Sequence, residues 1–411
     1  MRDAVLVVVY SEGSALPIEL AADADGYQLI FAAPVGWMRP GLRELLEALG
    51  DVVDMTDEEA GVAELRARAP VGIVSFADPD LPLAARLARR LGLRYHSEEV
   101  VRGLTDKFVQ RQRLDAAGLR VPRFRVIDRA EQLEVALAEV GTPAVLKPIR
   151  GAGSRQVYRL EDPQQALRHA TDAFASGEAE QFLLEEMLIG CPGIAGIGFG
   201  DYVSCELLLW RGEVAYHVVN GRLPLVDPFR ERGFLIPAPL AETDAAEVCR
   251  VSAAACAALG VCDGWVDIEL KLTADGPVVI EVNGRLGGYV APLLYRSFGV
   301  EAVRLAFETA AGRQPQLPVC EPVAVAFSYQ ILPPVGDWRL ASWGDIMNLT
   351  EHPEIRTVVL HAQPGDRVDW RQGSLGTIGV IEGSVERTDA VLQAVRTIED
   401  EIAAQVSFSP A

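Results

Sequence analysis

Two short runs hold the densest set of chemically able side chains in the 411-residue chain: Trp265-Val266-Asp267-Ile268-Glu269-Leu270-Lys271 and Val279-Ile280-Glu281-Val282-Asn283-Gly284-Arg285. Thr273-Ala274-Asp275-Gly276 between them is a hairpin signal. A turn centred on Asp275 sets Glu269 opposite Glu281 and Asp267 opposite Asn283, and strand alternation turns all four to one face. Facing glutamates repel, so the pair calls for a cation. Two carboxylates and a carboxamide are hard oxygen donors suited to Mg²⁺ or Mn²⁺, ions that keep positions open for water and phosphate. Glu269, Glu281 and Asn283 are therefore the candidate metal ligands.

The lysines point the same way. Of 38 basic residues only Lys107, Lys147 and Lys271 are lysines. Lys147 ends an apolar strand and is followed by the turn Gly151-Ala152-Gly153-Ser154, where backbone N–H groups can approach phosphate oxygens beside a compact positive charge. Lys107 follows Asp106 at a helix entrance, where Asp106 or Thr105 reads as the N-cap. No Gly-Lys-Ser/Thr occurs, which removes the P-loop NTPases. Gly-x-Gly-x-x-Gly is absent too, so a nicotinamide dehydrogenase has no support.

The elements that must position these residues begin with an alternation of apolar runs and helix-period segments: Val5–Val9, Gly41–Leu49, Val71–Phe76 and Leu81–Leu91. That is the pattern of βα units around a parallel sheet. Helices are expected over 106–118, 130–139, 163–175 and 244–259, and strands at 124–127, 144–149, 156–160, 182–186, 202–210 and 214–219. The proline-studded stretch 220–240 has no periodicity and reads as a substrate loop. Beyond 313, strands near 323–331, 357–361 and 377–382 precede a helix that buries Val391, Val395, Ile398 and Ile402. The expected division is an α/β unit at 1–102, a two-lobed centre at 103–313 (lobes about 103–184 and 185–313), and an α+β unit at 314–411.

Composition bounds the function. With 58 acidic residues against 38 basic ones the net charge is −20, hostile to nucleic acid and to anionic membrane surfaces. Apolar residues make up 49% and charged ones 23%, enough for a large core. No apolar run approaches the ~20 residues of a membrane span, and 4–10 reads as a buried strand, not a signal peptide. Cys191, Cys205, Cys249, Cys256, Cys262 and Cys320 form no C-x-x-C pair, so free, mostly buried thiols and a cytoplasmic setting are expected.

Taken in order, the motifs resemble the ATP-grasp superfamily. Asp106-Lys107 with Val121-Pro122-Arg123-Phe124 is similar to its opening signature. Ala144-Val145-Leu146-Lys147-Pro148 with Gly151–Ser154 resembles its phosphate-covering loop, and Leu184-Glu185-Glu186-Met187-Leu188 its adenine-binding hinge. Asn283-Gly284-Arg285-Leu286-Gly287-Gly288 resembles the branch of dipeptide-forming L-amino acid ligases, alanine–anticapsin ligase among them.

The resemblance implies an ATP-grasp fold with a parallel N-terminal α/β unit, and a carboxylate activated by ATP as an acyl phosphate and attacked by an amine. It implies Lys107, Lys147, Gly151, Gly153, Ser154, Glu185, Glu186, Leu188 and, by a looser alignment, Asp201 as nucleotide contacts. Arg285, Lys147 and Ser154 would act in catalysis, while Glu231, Arg285, Gly287, Gly288 and the aromatic wall Tyr289 would face amino acid substrates. The chain departs from the branch at Phe234, where His is common, and in Ser154-Arg155-Gln156-Val157, where Ser-x-Gly-Val is common. A homodimer is compatible with such an enzyme. Another ATP-grasp ligase, a phosphotransferase and a silent ATP-binding protein are the rival readings.

Overall fold

The computed structural model describes residues 4–11, 17–38, 41–317 and 321–411. Strands β1 (Ala4–Val9), β2 (Tyr27–Ala33), β3 (Asp51–Asp54) and β4 (Gly72–Ser75) form a parallel sheet in the order β3-β2-β1-β4. Leu6, Val7, Val8 and Val9 are all fully buried, as expected for a parallel strand covered on both faces. The expected βα pattern holds, with two strands, β2 and β3, beyond those read from the sequence. A short turn, Asp78–Asp80, leaves the carboxyl end of β4 and delivers Asp78 toward the rest of the molecule.

A second sheet is antiparallel, in the order β5-β8-β6-β7, from β5 (Phe124–Ile127), β6 (Ala144–Pro148), β7 (Tyr158–Leu160) and β8 (Phe182–Glu186). Its helices, Leu133–Val140 and Pro163–Ala175, cover one face with a core of Ile127, Leu137, Ala166, Ala170 and Phe182. The strand expected from 156 begins only at Tyr158, because Ser154 and Gln156 sit at φ 58° and 54° and break the extended chain.

The remaining strands are β9 (Tyr202–Trp210), β10 (Glu213–Arg222), β11 (Gly233–Ile236), β12 (Gly264–Thr273), β13 (Gly276–Asn283), β14 (Val325–Ile331), β15 (Trp338–Ser342), β16 (Ile355–Leu360), β17 (Arg367–Val368), β18 (Gly379–Val385) and β19 (Ser407–Pro410). Eight of them make one antiparallel sheet, β13-β12-β9-β10-β11-β14-β18-β16, and β17-β15-β19 form a small one. The large sheet therefore runs without a break from the 264–283 hairpin into strands after residue 313. Within the stretch read as loop, Gly221 pairs with Leu235 and Arg222 with Phe234, so regular structure reaches Arg222 and resumes at Gly233. The irregular stretch that the sequence reads as a substrate loop shrinks to 223–232.

Helix Glu242–Leu259 packs on the side of this sheet that carries Cys205, Leu207 and Ile268, leaving the alternate residues for the opposite side. All five described cysteines are free, but only Cys205 and Cys256 are buried; Cys191 and Cys249 are half-buried and Cys262 is exposed. That corrects the expectation of mostly buried thiols, since Cys262 lies in the turn after the helix. Cys320 lies outside the described residues. Among the described residues no helix is long and apolar enough to cross a membrane.

Candidate nucleotide and metal site

The hairpin register is the one the alternation predicts: Asp267 pairs with Asn283 and Glu269 with Glu281. The turn is one residue tighter than a loop centred on Asp275, because Thr273 pairs with Gly276; one extra residue, Ile280, in β13 restores the offset. Across the sheet, Asp267 also stands beside Glu206 of β9, and Glu269 beside Ser204, which in turn pairs with Asn220 of β10. The result is two polar rungs on one sheet face, Asn283-Asp267-Glu206 and Glu281-Glu269-Ser204-Asn220.

Of the acids in these rungs, Glu206 and Asp267 are buried and Glu269 and Glu281 half-buried. Burial first, then the charges of Glu231, Asp267 and Glu281, push the Glu269 carboxyl up to about 8, and no hydrogen bond or ion pair to Glu269 occurs among the described residues. Glu206 is completely buried and is pushed well above the ordinary carboxylate range by burial and by Asp267. It accepts hydrogen bonds from Asn220 Nδ2 at 2.9 Å and from the Gly287 backbone N–H at 3.0 Å. Among the described residues no three His, Cys, Asp or Glu side chains form a metal cage. Two facing carboxylates and a carboxamide fit a hard cation that takes its other ligands from phosphate and water.

Lys107, at the start of helix Lys107–Ala116, is buried and donates to the Gly151 carbonyl at 2.8 Å while pairing with Glu281 at 2.7 Å. Asp106 caps that helix by accepting from the Val109 N–H. Asp106 is thus the N-cap, while Lys107 is buried beside the hairpin. One helical turn on, Arg111 pairs with Glu185 at 2.6 Å, and Lys147 reaches the same carboxylate at 2.5 Å. Burial alone would raise Glu185, but Arg111 and Lys147 outweigh it and hold its carboxyl below the ordinary range. Arg111 also donates to the carbonyl of Ile280, the bulged residue.

Arg285 is held by Asp78 at 2.9 Å and Asp267 at 3.1 Å, tying the end of β4 to the hairpin. Burial would lower its pKa, yet these two carboxylates hold it above its ordinary value. Gly153 and Ser154 lie in the loop over the site, and the Gly153 carbonyl accepts from the Ser374 N–H at 2.9 Å. Ser374 Oγ accepts from the Glu231 N–H at 3.1 Å, so segment 370–376 joins the glycine loop to the substrate loop. Gly287 bonds Glu206, Gly288 has open space around it, and Tyr289, at φ 61°, is 39% exposed and faces Phe234 with ring centroids 6.4 Å apart.

Three expected contacts lie outside this cluster. Glu186 points away from Glu185 and pairs with Arg123 at 3.0 Å. Leu188 is half-buried just past β8. Asp201 pairs with Lys271 at 2.6 Å, and Gly190 packs against its carboxylate. Sequence reasoning missed Asp78, Arg111, Glu206 and Arg222. Two had a visible signal: Arg111 is four residues after Lys107 on one helix face, and Glu206 alternates with Ser204 inside an otherwise apolar strand.

A parallel α/β unit, a small antiparallel lobe and a large antiparallel sheet that meet at a cluster of lysines and carboxylates make the ATP-grasp architecture. Residues 140–292 match the ATP-grasp domain family. Across its full length it superposes on a crystal structure of an L-amino acid ligase from Bacillus licheniformis with a TM-score of 0.81, 22% identity and 100% of both chains covered. Its relatives include an uncharacterised protein of Sinorhizobium fredii (strain NBRC 101917 / NGR234), 31% identical over 308 residues, 72% of this chain and 59% of that protein. Alanine–anticapsin ligase of Bacillus subtilis (strain 168) is 26% identical over 249 residues, 57% of this chain and 52% of that enzyme. The chain thus spans little more than half the length of these two relatives.

Proposed function

We propose that the protein is an ATP-dependent carboxylate–amine ligase that joins an amino acid, or an acid resembling one, to the amine of a second amino acid. A carboxylate oxygen attacks the γ-phosphorus and ADP leaves; the amine nitrogen then attacks the acyl carbon, loses a proton, and phosphate departs. The observation that supports this reading is the opposed, half-buried Glu269–Glu281 pair, with Lys107 on Glu281 and the charge of Lys147 near it. The likeness to amino acid ligases supports it.

In this reading Glu269, Glu281 and Asn283 hold Mg²⁺, which when bound neutralises the β- and γ-phosphates. Lys107, Lys147 and the N–H groups of Gly151, Gly153 and Ser154 bind the remaining phosphate oxygens, and Glu186, Leu188 and Asp201 lie along the hinge for base and ribose. Arg285, fixed by Asp78 and Asp267, presents positive charge beside the reacting carboxylate. The 370–376 segment, bonded to both loops, keeps water from the acyl phosphate. Residues 103–313 would then form the catalytic unit between flanking units 1–102 and 314–411.

The test is ADP release and product mass from an all-against-all amino acid panel with ATP and Mg²⁺. Amide product with stoichiometric ADP is expected, and Glu281→Ala lowers turnover at least ~10³-fold with its circular dichroism unchanged. A phosphorylated amino acid without amide would make it a phosphotransferase instead.

A further inference from the structure

Three arginines are buried around the cleft, and they differ in how their donors are used. Arg285 spends Nε and Nη2 on Asp78 and Nη1 on Asp267 and the Leu286 carbonyl. Arg111 spends Nε on Glu185 and Nη2 on Glu185 and the Ile280 carbonyl. The guanidinium of Arg222, a residue only 4% exposed, makes no hydrogen bond among the described residues. Among those residues its one ion pair runs from Nη1 to Glu231 at 3.2 Å, and its Nε is enclosed with no partner.

A guanidinium offers five N–H donors in a planar fork; the acids around it, Glu231 first, offset its burial, but most of its hydrogen-bonding capacity is unspent. The fork is also held in place. It stacks over Phe234, 4.2 Å from the ring centroid, and over Tyr202 at 5.7 Å. Asn220, two residues earlier on β10, likewise leaves its buried Oδ1 unpaired. An oriented fork with free donors is a site for a planar anion.

Position decides which anion. The carboxylate to be activated must meet the γ-phosphate beside Glu269 of β12 and Glu281 of β13. Arg222 is on β10, two strands from β12, which at ~4.8 Å per strand is about 10 Å away. We infer that Arg222 binds the unreacted carboxylate of the amine-supplying amino acid, with Phe234 and Tyr202 setting the plane of the fork and Glu231 beside it taking the ammonium group before it reacts. This rests on the ligase reading above and names the second substrate's class: an amino acid with a free carboxylate, not a simple amine or an amino acid amide.

The experiment compares Arg222→Met and Arg222→Lys with the wild-type protein, measuring KM for ATP, for an amine-supplying amino acid and for that amino acid's amide. Wild-type protein should favour the free acid over the amide by at least ~10-fold, the worth of a charged hydrogen-bonded pair. Arg222→Met should remove that preference while leaving KM for ATP within about twofold, and Arg222→Lys, which keeps the charge without the fork, should fall between. Equal losses for acid and amide in both variants would overturn the inference, as would a raised KM for ATP, which would assign the fork to a phosphoryl group. ADP release with the panel but no wild-type preference for the acid refutes the inference alone; no ADP release with any pair refutes the ligase reading and this inference with it.

Discussion

The cleft holds two buried charge clusters built on opposite terms. Around Glu185, two cations, Arg111 and Lys147, close on one carboxylate. On and beside the large sheet, Asp267, Glu281, Glu231 and Asp78 form ion pairs, among the described residues, with Lys107, Arg222 and Arg285 alone, and Glu269 and Glu206 form none. The first cluster is short of anions and the second is short of cations. In the proposed function, a nucleotide polyphosphate with its divalent ion would supply both shortages at once. Each would be costly without the other's ligand.

The largest effect that would break this comparison is on the cationic side. Lys147→Met leaves Glu185 buried with one partner; we expect a loss of about 3 kcal/mol in urea unfolding and loss of ATP-dependent stabilisation. A neutral outcome would mean that Arg111 alone satisfies Glu185. On the acidic side the sign reverses. Glu269→Gln removes one of two opposed carboxylates and should stabilise the metal-free protein by about 1 kcal/mol at pH 8 while ending Mg²⁺-dependent turnover.

The same contrast appears in pH dependence. Glu269, raised to about 8 from an ordinary 4.5, keeps a proton in the folded protein that the unfolded chain gives up, so metal-free stability should fall as pH rises from about 4.5 to 8. Glu269→Gln should flatten that slope in chelator-containing buffer. Glu185, held below its ordinary value, acts oppositely: its contribution is present above the ordinary carboxylate range and is lost on acidification. The smallest effect sharpens the boundary. Lys271, the third lysine, belongs to neither cluster, so Lys271→Met should cost no more than about 1 kcal/mol in unfolding and leave turnover unchanged.

Much of the carboxylate hairpin was legible because it is local. A turn placed at Asp275, with strand alternation, gave the Glu269–Glu281 and Asp267–Asn283 pairs, although the turn is tighter and the Ile280 bulge makes up the difference. Helix Pro163–Ala175 likewise follows from its own periodicity and the Asp162 cap. What stayed hidden depends on distant chain. Asp78 and Arg285 are 207 residues apart, and nothing around Asp78 marks it as their meeting point. Arg222 was read as loop because its strand partner, Phe234, lies beyond a proline-studded turn. The strand Asp51–Asp54 has only four residues, flanked by aspartates, and exists because β2 templates it.

The extra residue in β13 has a mechanical consequence. A ladder without it would spend the Ile280 carbonyl on β12; the bulge frees that oxygen, and Arg111 takes it. Arg111 also grips Glu185 in the small lobe, so one side chain is a pin between that lobe and the 264–283 hairpin. Movement of the small lobe is therefore transmitted to the hairpin at the residue next to Glu281. A chain shortened by Ile280 would keep Glu269 opposite Glu281 but lose the pin, and the cleft would open and close without the hairpin following.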